Sequence, residues 1–301
     1  MRRDTTLGTL VTATVLCLVC SVVVATAASA LRPGIEANEE QKRQRNVLVA
    51  AGLFDPSTDD ESTVTDIYED RIGTVLVNLE DGRVDARTAL SSYDPAAARE
   101  KLDESTETGG LLPGWERREN KAFAYLVRDE NDPAAIDKVV LPVYGYGLWS
   151  TMYGYLALEK DCNTIAGLTF YKHAETPGLG GEIDNDKWKA DWRKKQAYDE
   201  NGQPNVQVVK GGYDRNSPSA TYQVDGLSGA TITSKGVENS LNYWLGEGGF
   251  GPFLAKVRAG EIAIPEPGEG PDPAGNDDGG AAASPEELEG GEDAGIGSEE
   301  S

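Results

Sequence analysis

Ser150–Lys172 reads STMYGYLALEKDCNTIAGLTFYK, and this stretch decides the fold. Two runs rich in apolar and aromatic residues, Thr151–Leu158 and Thr164–Tyr171, flank the short polar segment Lys160–Asn163. That pattern predicts two antiparallel strands joined by a tight turn. Outward from it, similar runs at Thr74–Leu79 (closed by Asp81-Gly82), Ala122–Val127 and Lys138–Val143 predict further strands, with shorter ones at Val206–Lys210 and Ala220–Val224. Helical signals lie between them. Asp94-Pro95 reads as an N-cap followed by proline at the first helical position. Asp186–Lys195 spaces Trp188 and Trp192 by one helical turn, and Ser234–Leu245 puts Val237, Leu241, Trp244 and Leu245 on one face. Strands outnumber helices without βαβ alternation, so the expected class is α+β: one domain with a mixed or antiparallel sheet and flanking helices.

The ends of the chain differ from this middle. Leu7–Leu31, LGTLVTATVLCLVCSVVVATAASAL, runs 25 residues without a charge. As a helix it would cover ~37 Å, enough for a ~30 Å hydrocarbon core. Arg2 and Arg3 precede it, which predicts residues 1–6 in the cytoplasm and the domain at 32–264 exported. Ala28-Ser29-Ala30 resembles a signal-peptide cleavage site, but the apolar run is longer than a signal h-region, so a retained single-pass anchor is expected. A separate amphipathic juxtamembrane helix is predicted at 36–54, with Val47, Leu48, Ala51 and Leu53 following a polar stretch. From Pro265 to Ser301, Gly, Pro, Glu and Asp dominate and aromatics vanish, which predicts a disordered acidic tail at 265–301.

Composition narrows the chemistry. The net charge is −23, and the tail's twelve acidic residues leave −11 for the rest. Nucleic acid is excluded as a partner, because binding it needs a basic surface. One histidine, His173, excludes His-rich metal centres and relays of several imidazoles. Three cysteines, with Cys17 and Cys20 in the apolar segment, make neither a zinc site nor a disulfide framework, and no metal site is expected. The chain has no G-x-G-x-x-G opening a βαβ unit and no cluster-spaced cysteines, so it cannot oxidise NADH alone.

Two stretches carry candidate chemistry. In Asp225–Ser234, DGLSGATITS, small residues and hydroxyls crowd a strand-to-helix junction. Gly229 and Ala230 leave the backbone open, and a helix start behind them would stabilise a phosphate at Thr231. The plain alternative is that Thr233 or Ser234 merely caps the helix. In His173–Gly181, HAETPGLGG, Pro and three glycines specify a loop in which Glu175 and Thr176 could hydrogen-bond the edge of a planar ligand, or which only connects two elements. Gly145–Ser150, GYGLWS, sets opened backbone beside Trp149, which either stacks on a ring or fills the core.

DGLSGATITS resembles the covalent-flavin acceptor motif D-x-x-[ST]-G-A-T of the FMN-binding domain family. In that family a flavin transferase joins FMN through its phosphate to the final Thr hydroxyl, here Thr231. GLWSTMYGYLALEKD, FYKHAETPGLGGEIDNDKWKADW and LRPGIEANEEQKRQRNVLVAAGLF resemble the NqrC family of the Na⁺-translocating NADH:quinone reductase, in blocks spanning about residues 7–258. The resemblance implies a covalent-FMN electron carrier with no general acid–base catalyst. Its setting would be a bacterial inner-membrane complex that oxidises NADH, reduces quinone and exports Na⁺. The implied partners are the other subunits and, during maturation, the flavin transferase. Asp225 and Ser228 are then part of the signature the transferase recognises, with Asp225 implied to help hold its metal. Gly229 and Ala230 give access, Thr231 is the attachment site, and Trp149, Glu175, Thr176 and Leu179 belong to the flavin pocket. Two other readings stay open. The G subunit of an Rnf-type ferredoxin:NAD⁺ oxidoreductase shares the anchor and flavin site, although LWSTMYGYLALE and HAETPGLGGE favour the NqrC family. A non-redox membrane-anchored binding protein, its GAT segment only a helix cap, is the third.

Overall fold

Strands in this chain carry apolar residues at successive positions, and the architecture supplies the reason: the main sheet is covered on both faces. The computed structural model describes residues 6–266. Five strands, β1 (Ile72–Asn78), β4 (Lys121–Arg128), β5 (Ile136–Tyr146), β6 (Thr151–Glu159) and β7 (Ile165–Lys172), form an antiparallel sheet in the order β1-β4-β5-β6-β7. The expected hairpin is β6–β7, turning where Asp161 accepts the Asn163 and Thr164 N–H groups. Between β1 and β4 the chain makes a small excursion: α3 (Pro95–Glu100), capped by Asp94 as expected, and the two-stranded ribbon β2 (Ser105–Glu107) and β3 (Arg117–Glu119).

The two faces bury different layers. Tyr125, Val127, Val140, Tyr155 and Ala157 meet Val47, Leu48, Ala50 and Ala51 from the end of α1 (Thr6–Ala51) and Val64 and Tyr68 from α2 (Val64–Arg71). On the other face Leu126, Val139, Leu141, Leu156 and Leu168 pack with Val237, Leu241 and Trp244 of α5 (Thr231–Leu245). Trp188 of α4 (Asp186–Asp191) and Phe253 and Leu254 of α6 (Gly251–Arg258) complete that core. A fully buried Leu or Phe contributes about 1.5–3 kcal/mol, so continuous apolar strands are what such a doubly covered sheet selects.

Three features depart from the sequence reading. The apolar span and the juxtamembrane helix are one 46-residue helix running through Pro33, because a single proline removes one hydrogen bond without stopping the pattern on either side. That helix ends at Ala51 rather than Phe54. Its N-terminal part, with exposed Leu10, Val15, Val19 and Val23, is long and apolar enough to cross a membrane. The two short strands, β8 (Gln207–Val209) and β9 (Gln223–Asp225), pair parallel to each other, outside the main sheet. The expected acidic tail lies outside the described residues except for Pro265 and Glu266, and so does all of the expected cytoplasmic segment except Thr6.

Candidate functional site

β9 ends at Asp225, five residues turn the chain, and α5 begins at Thr231, three residues earlier than the apolar pattern indicates. Gly229 adopts φ +74°, and the Ala230 N–H bonds to the Leu227 carbonyl at 3.1 Å, closing a tight turn. The Ala230 carbonyl then accepts the Ser234 N–H at 3.0 Å, as the first helical bond. Thr233 and Ser234 therefore lie inside the helix and do not cap it. The Thr233 hydroxyl donates to Glu175 at 2.6 Å, and Ser234 Oγ accepts the Leu227 N–H at 3.0 Å. No side chain caps α5, and Thr231 is exposed at its first position. The uncapped end leaves backbone donors and the positive end of the helix dipole beside the Thr231 hydroxyl.

That hydroxyl borders a cavity of about 830 Å³. Asp225, Gly226, Leu227, Ser228, Gly229, Thr231 and Ser234 line one side, and Val208, Lys210, Gly211 and Gly212 the other, with Lys235 at the helix. The Asp225 carboxylate accepts the Tyr213 N–H at 2.9 Å and lies 3.7 Å from the Arg215 guanidinium, which is also 3.8 Å from Asp191. Sequence reasoning missed Lys210, Lys235 and Arg215. Lys210 comes to the cavity only because β8 pairs with β9, a contact that no local pattern announces.

The other two stretches converge on the same helix start. Glu175 is 4% exposed, and its carboxylate accepts the N–H groups of Leu148 (3.1 Å), Trp149 (2.9 Å) and Ser150 (3.2 Å) as well as the Thr233 hydroxyl. Burial works against its charge, but the Thr233 hydroxyl and these backbone donors outweigh burial and hold the carboxyl below its ordinary value. Both oxygens are occupied within the protein, so Glu175 does not present the free hydrogen-bonding edge read from the sequence. The Thr176 carbonyl closes the loop by accepting the Leu179 (3.1 Å) and Gly181 (2.9 Å) N–H groups, while the Thr176 residue stays exposed. Leu179 reaches the other motif, its Cδ2 lying 2.9 Å from where a Cβ on Gly229 would stand. Trp149 is 64% exposed, Ile232 58% and Leu179 44%, an apolar rim around the start of α5. Such a rim suits a flat aromatic group, and the exposed hydroxyl on a cavity suits a phosphate-bearing one. The residues present therefore fit FMN.

The FMN-binding domain family matches residues 147–246, a span containing every candidate residue named above. The chain is 47% identical over 262 residues to the C subunit of the Na⁺-translocating NADH-quinone reductase of Pseudomonas aeruginosa, covering 86% of this chain and 98% of that one. To the protein of the same name from Yersinia pestis it is 44% identical over 269 residues, covering 87% and 97%. The crystal structure of Shewanella oneidensis NqrC superposes with a TM-score of 0.67 at 34% identity, covering 74% of this chain and 99% of that one.

Proposed function

The chain belongs to the NqrC family of Na⁺-translocating NADH-quinone reductase subunits, and we propose that it is the FMN-carrying electron-transfer subunit of such a complex, with the flavin joined through its phosphate to Thr231. The observation that carries the attachment is the exposed Thr231 hydroxyl at the uncapped start of α5, on the rim of a cavity inside the FMN-binding match. When bound, FMN supplies reversible electron uptake and release, chemistry that no side chain here provides. The chain's own residues hold it. The first-turn N–H groups and the helix dipole would stabilise the single negative charge of the phosphodiester at Thr231, with Lys210 on the cavity wall adding positive charge and Lys235 there paired with Glu238. Trp149, Leu179 and Ile232 offer apolar area for the ring and shield it from water. A phosphoester tether leaves the ring's electronics to this pocket and prevents dissociation, which suits a carrier that must stay at a fixed distance from its neighbours.

In this reading α1 anchors the chain once in the bacterial inner membrane, with the N-terminus cytoplasmic and the domain on the periplasmic side, as Arg2 and Arg3 support. A flavin transferase recognises Asp225–Thr231 during maturation, and the other subunits supply the NADH and quinone sites. The test is tandem mass spectrometry of the tryptic peptide Asn216–Lys235 from chain produced with a flavin transferase. FMN is expected on Thr231, and Thr231→Ala abolishes covalent flavin while leaving the fold intact. An unmodified parent peptide, or FMN on Thr233, would overturn the assignment.

A further inference from the structure

Glu175 is a buried charge, and all of its partners belong to segments that border the start of α5. Leu148, Trp149 and Ser150 donate from the turn between β5 and β6, and Thr233 donates from the first turn of α5. Glu175 itself lies in the loop that carries Leu179. The backbone closes tightly around the carboxylate. A Cβ on Gly147 would stand 2.6 Å from Glu175 Oε1, and one on Gly180 would stand 2.7 Å from Oε2 and 2.6 Å from Thr233 Oγ1. His173 secures the arrangement from behind, with Nδ1 accepting the Glu175 N–H at 3.2 Å and Nε2 bonded to Asp184 at 2.8 Å. Each exposed apolar residue of the rim thus sits on a segment tied to this one side chain: Trp149 through its own amide, Leu179 through the shared loop, and Ile232 beside Thr233.

We propose that Glu175 is the positioning residue of the flavin seat, its ionised carboxylate fixing Trp149, Leu179 and the Thr231 acceptor relative to one another and placing a fixed negative charge beside the ring. The proposal rests on the reading that Thr231 carries FMN. Two properties follow for the holoprotein. The ring is held in one chiral environment, and the adjacent negative charge disfavours electron uptake, keeping the flavin potential low.

The test uses full-length chain loaded by its flavin transferase, as parent, Glu175→Gln and Thr233→Val. Glu175→Gln keeps the length and an acceptor for the three amides but removes the charge. Thr233→Val keeps the charge but cuts the tie to α5. The measurements are covalent loading by intact mass, visible circular dichroism of the flavin, and its midpoint potential. Glu175→Gln is expected to shift the potential upward and alter the flavin dichroism, and Thr233→Val to alter the dichroism with the smaller potential shift. Loss of loading in a variant that still folds also counts for the proposal, because the acceptor has lost its position. Two loaded, folded variants with parental dichroism and potential would overturn it. Should Glu175→Gln not fold, parental dichroism in Thr233→Val alone overturns it. A parent chain without FMN on Thr231 overturns the attachment reading and this one with it, an outcome read separately from the same mass spectra.

Discussion

Gly236 lies in the second turn of α5, where helix propensity and packing make opposite predictions for Gly236→Ala. On propensity alone, alanine in a helix interior stabilises by about 1 kcal/mol over glycine. Packing opposes this, because the new Cβ would stand 2.4 Å from the Tyr146 carbonyl oxygen and 3.3 Å from both Gly147 Cα and Met152 Cε. Ordinary contact begins at 3.4 Å, so α5 and the end of β5 must separate by about an ångström, and the obstacle is backbone that cannot rotate away. Overpacking of this kind costs about 1–3 kcal/mol and here more toward the upper end, leaving a net destabilisation of about 1–2 kcal/mol after the propensity gain. For a domain of this size that is a fall in Tm of roughly 2–8 °C. The assay is thermal unfolding of the full chain in detergent, followed by circular dichroism, with Asn239→Ala as control. Asn239 is exposed on the same helix, so its replacement tests propensity alone and raises Tm slightly. A Gly236→Ala chain as stable as the parent, or more so, would show that α5 does not press on the end of β5.

Two further perturbations test other parts of the fold. Burial works against the charge of Asp85, but bonds from Lys121, the Arg87 N–H and Thr88 outweigh it and hold the carboxyl at about 2, below the ordinary 3.8. Ionised Asp85 therefore stabilises the fold above about pH 4, and that contribution is lost as pH falls toward 2; Asp85→Asn should flatten the acid limb of a plot of urea midpoint against pH, and an unchanged limb contradicts the assignment. At the C-terminus, Ile264 packs on Gly73 and the Pro265 carbonyl accepts from Arg128, so truncation after Glu266 should leave Tm and flavin loading unchanged while truncation before Ile262 lowers Tm. Equal Tm values for the two truncations would refute that anchoring role.

What could be read from sequence was whatever local pattern controls. The β6–β7 hairpin, the Asp94 cap and the apolar face of α5 follow from periodicity and turn chemistry within a dozen residues, and the structure has them. The start of α5 escaped for a reason that bears on the site. Local rules expect a Ser, Thr, Asp or Asn cap, and DGLSGATITS offers hydroxyls at Ser228, Thr231, Thr233 and Ser234. Yet the helix begins behind Ala230 with no side-chain cap, because the Thr233 hydroxyl is claimed by Glu175 from 58 residues away and Ser234 by the Leu227 amide. Three local preferences thus yield to long-range ones at one place: a cap is forgone, a threonine is buried inside a helix, and a carboxylate is buried against backbone amides. Each is unfavourable alone, and such violations persist where a site needs them. Here they share one consequence, an exposed Thr231 hydroxyl at an open helix end facing a cavity. A conventionally capped α5 would have filled that end with its own side chain and left an incoming phosphate fewer free donors.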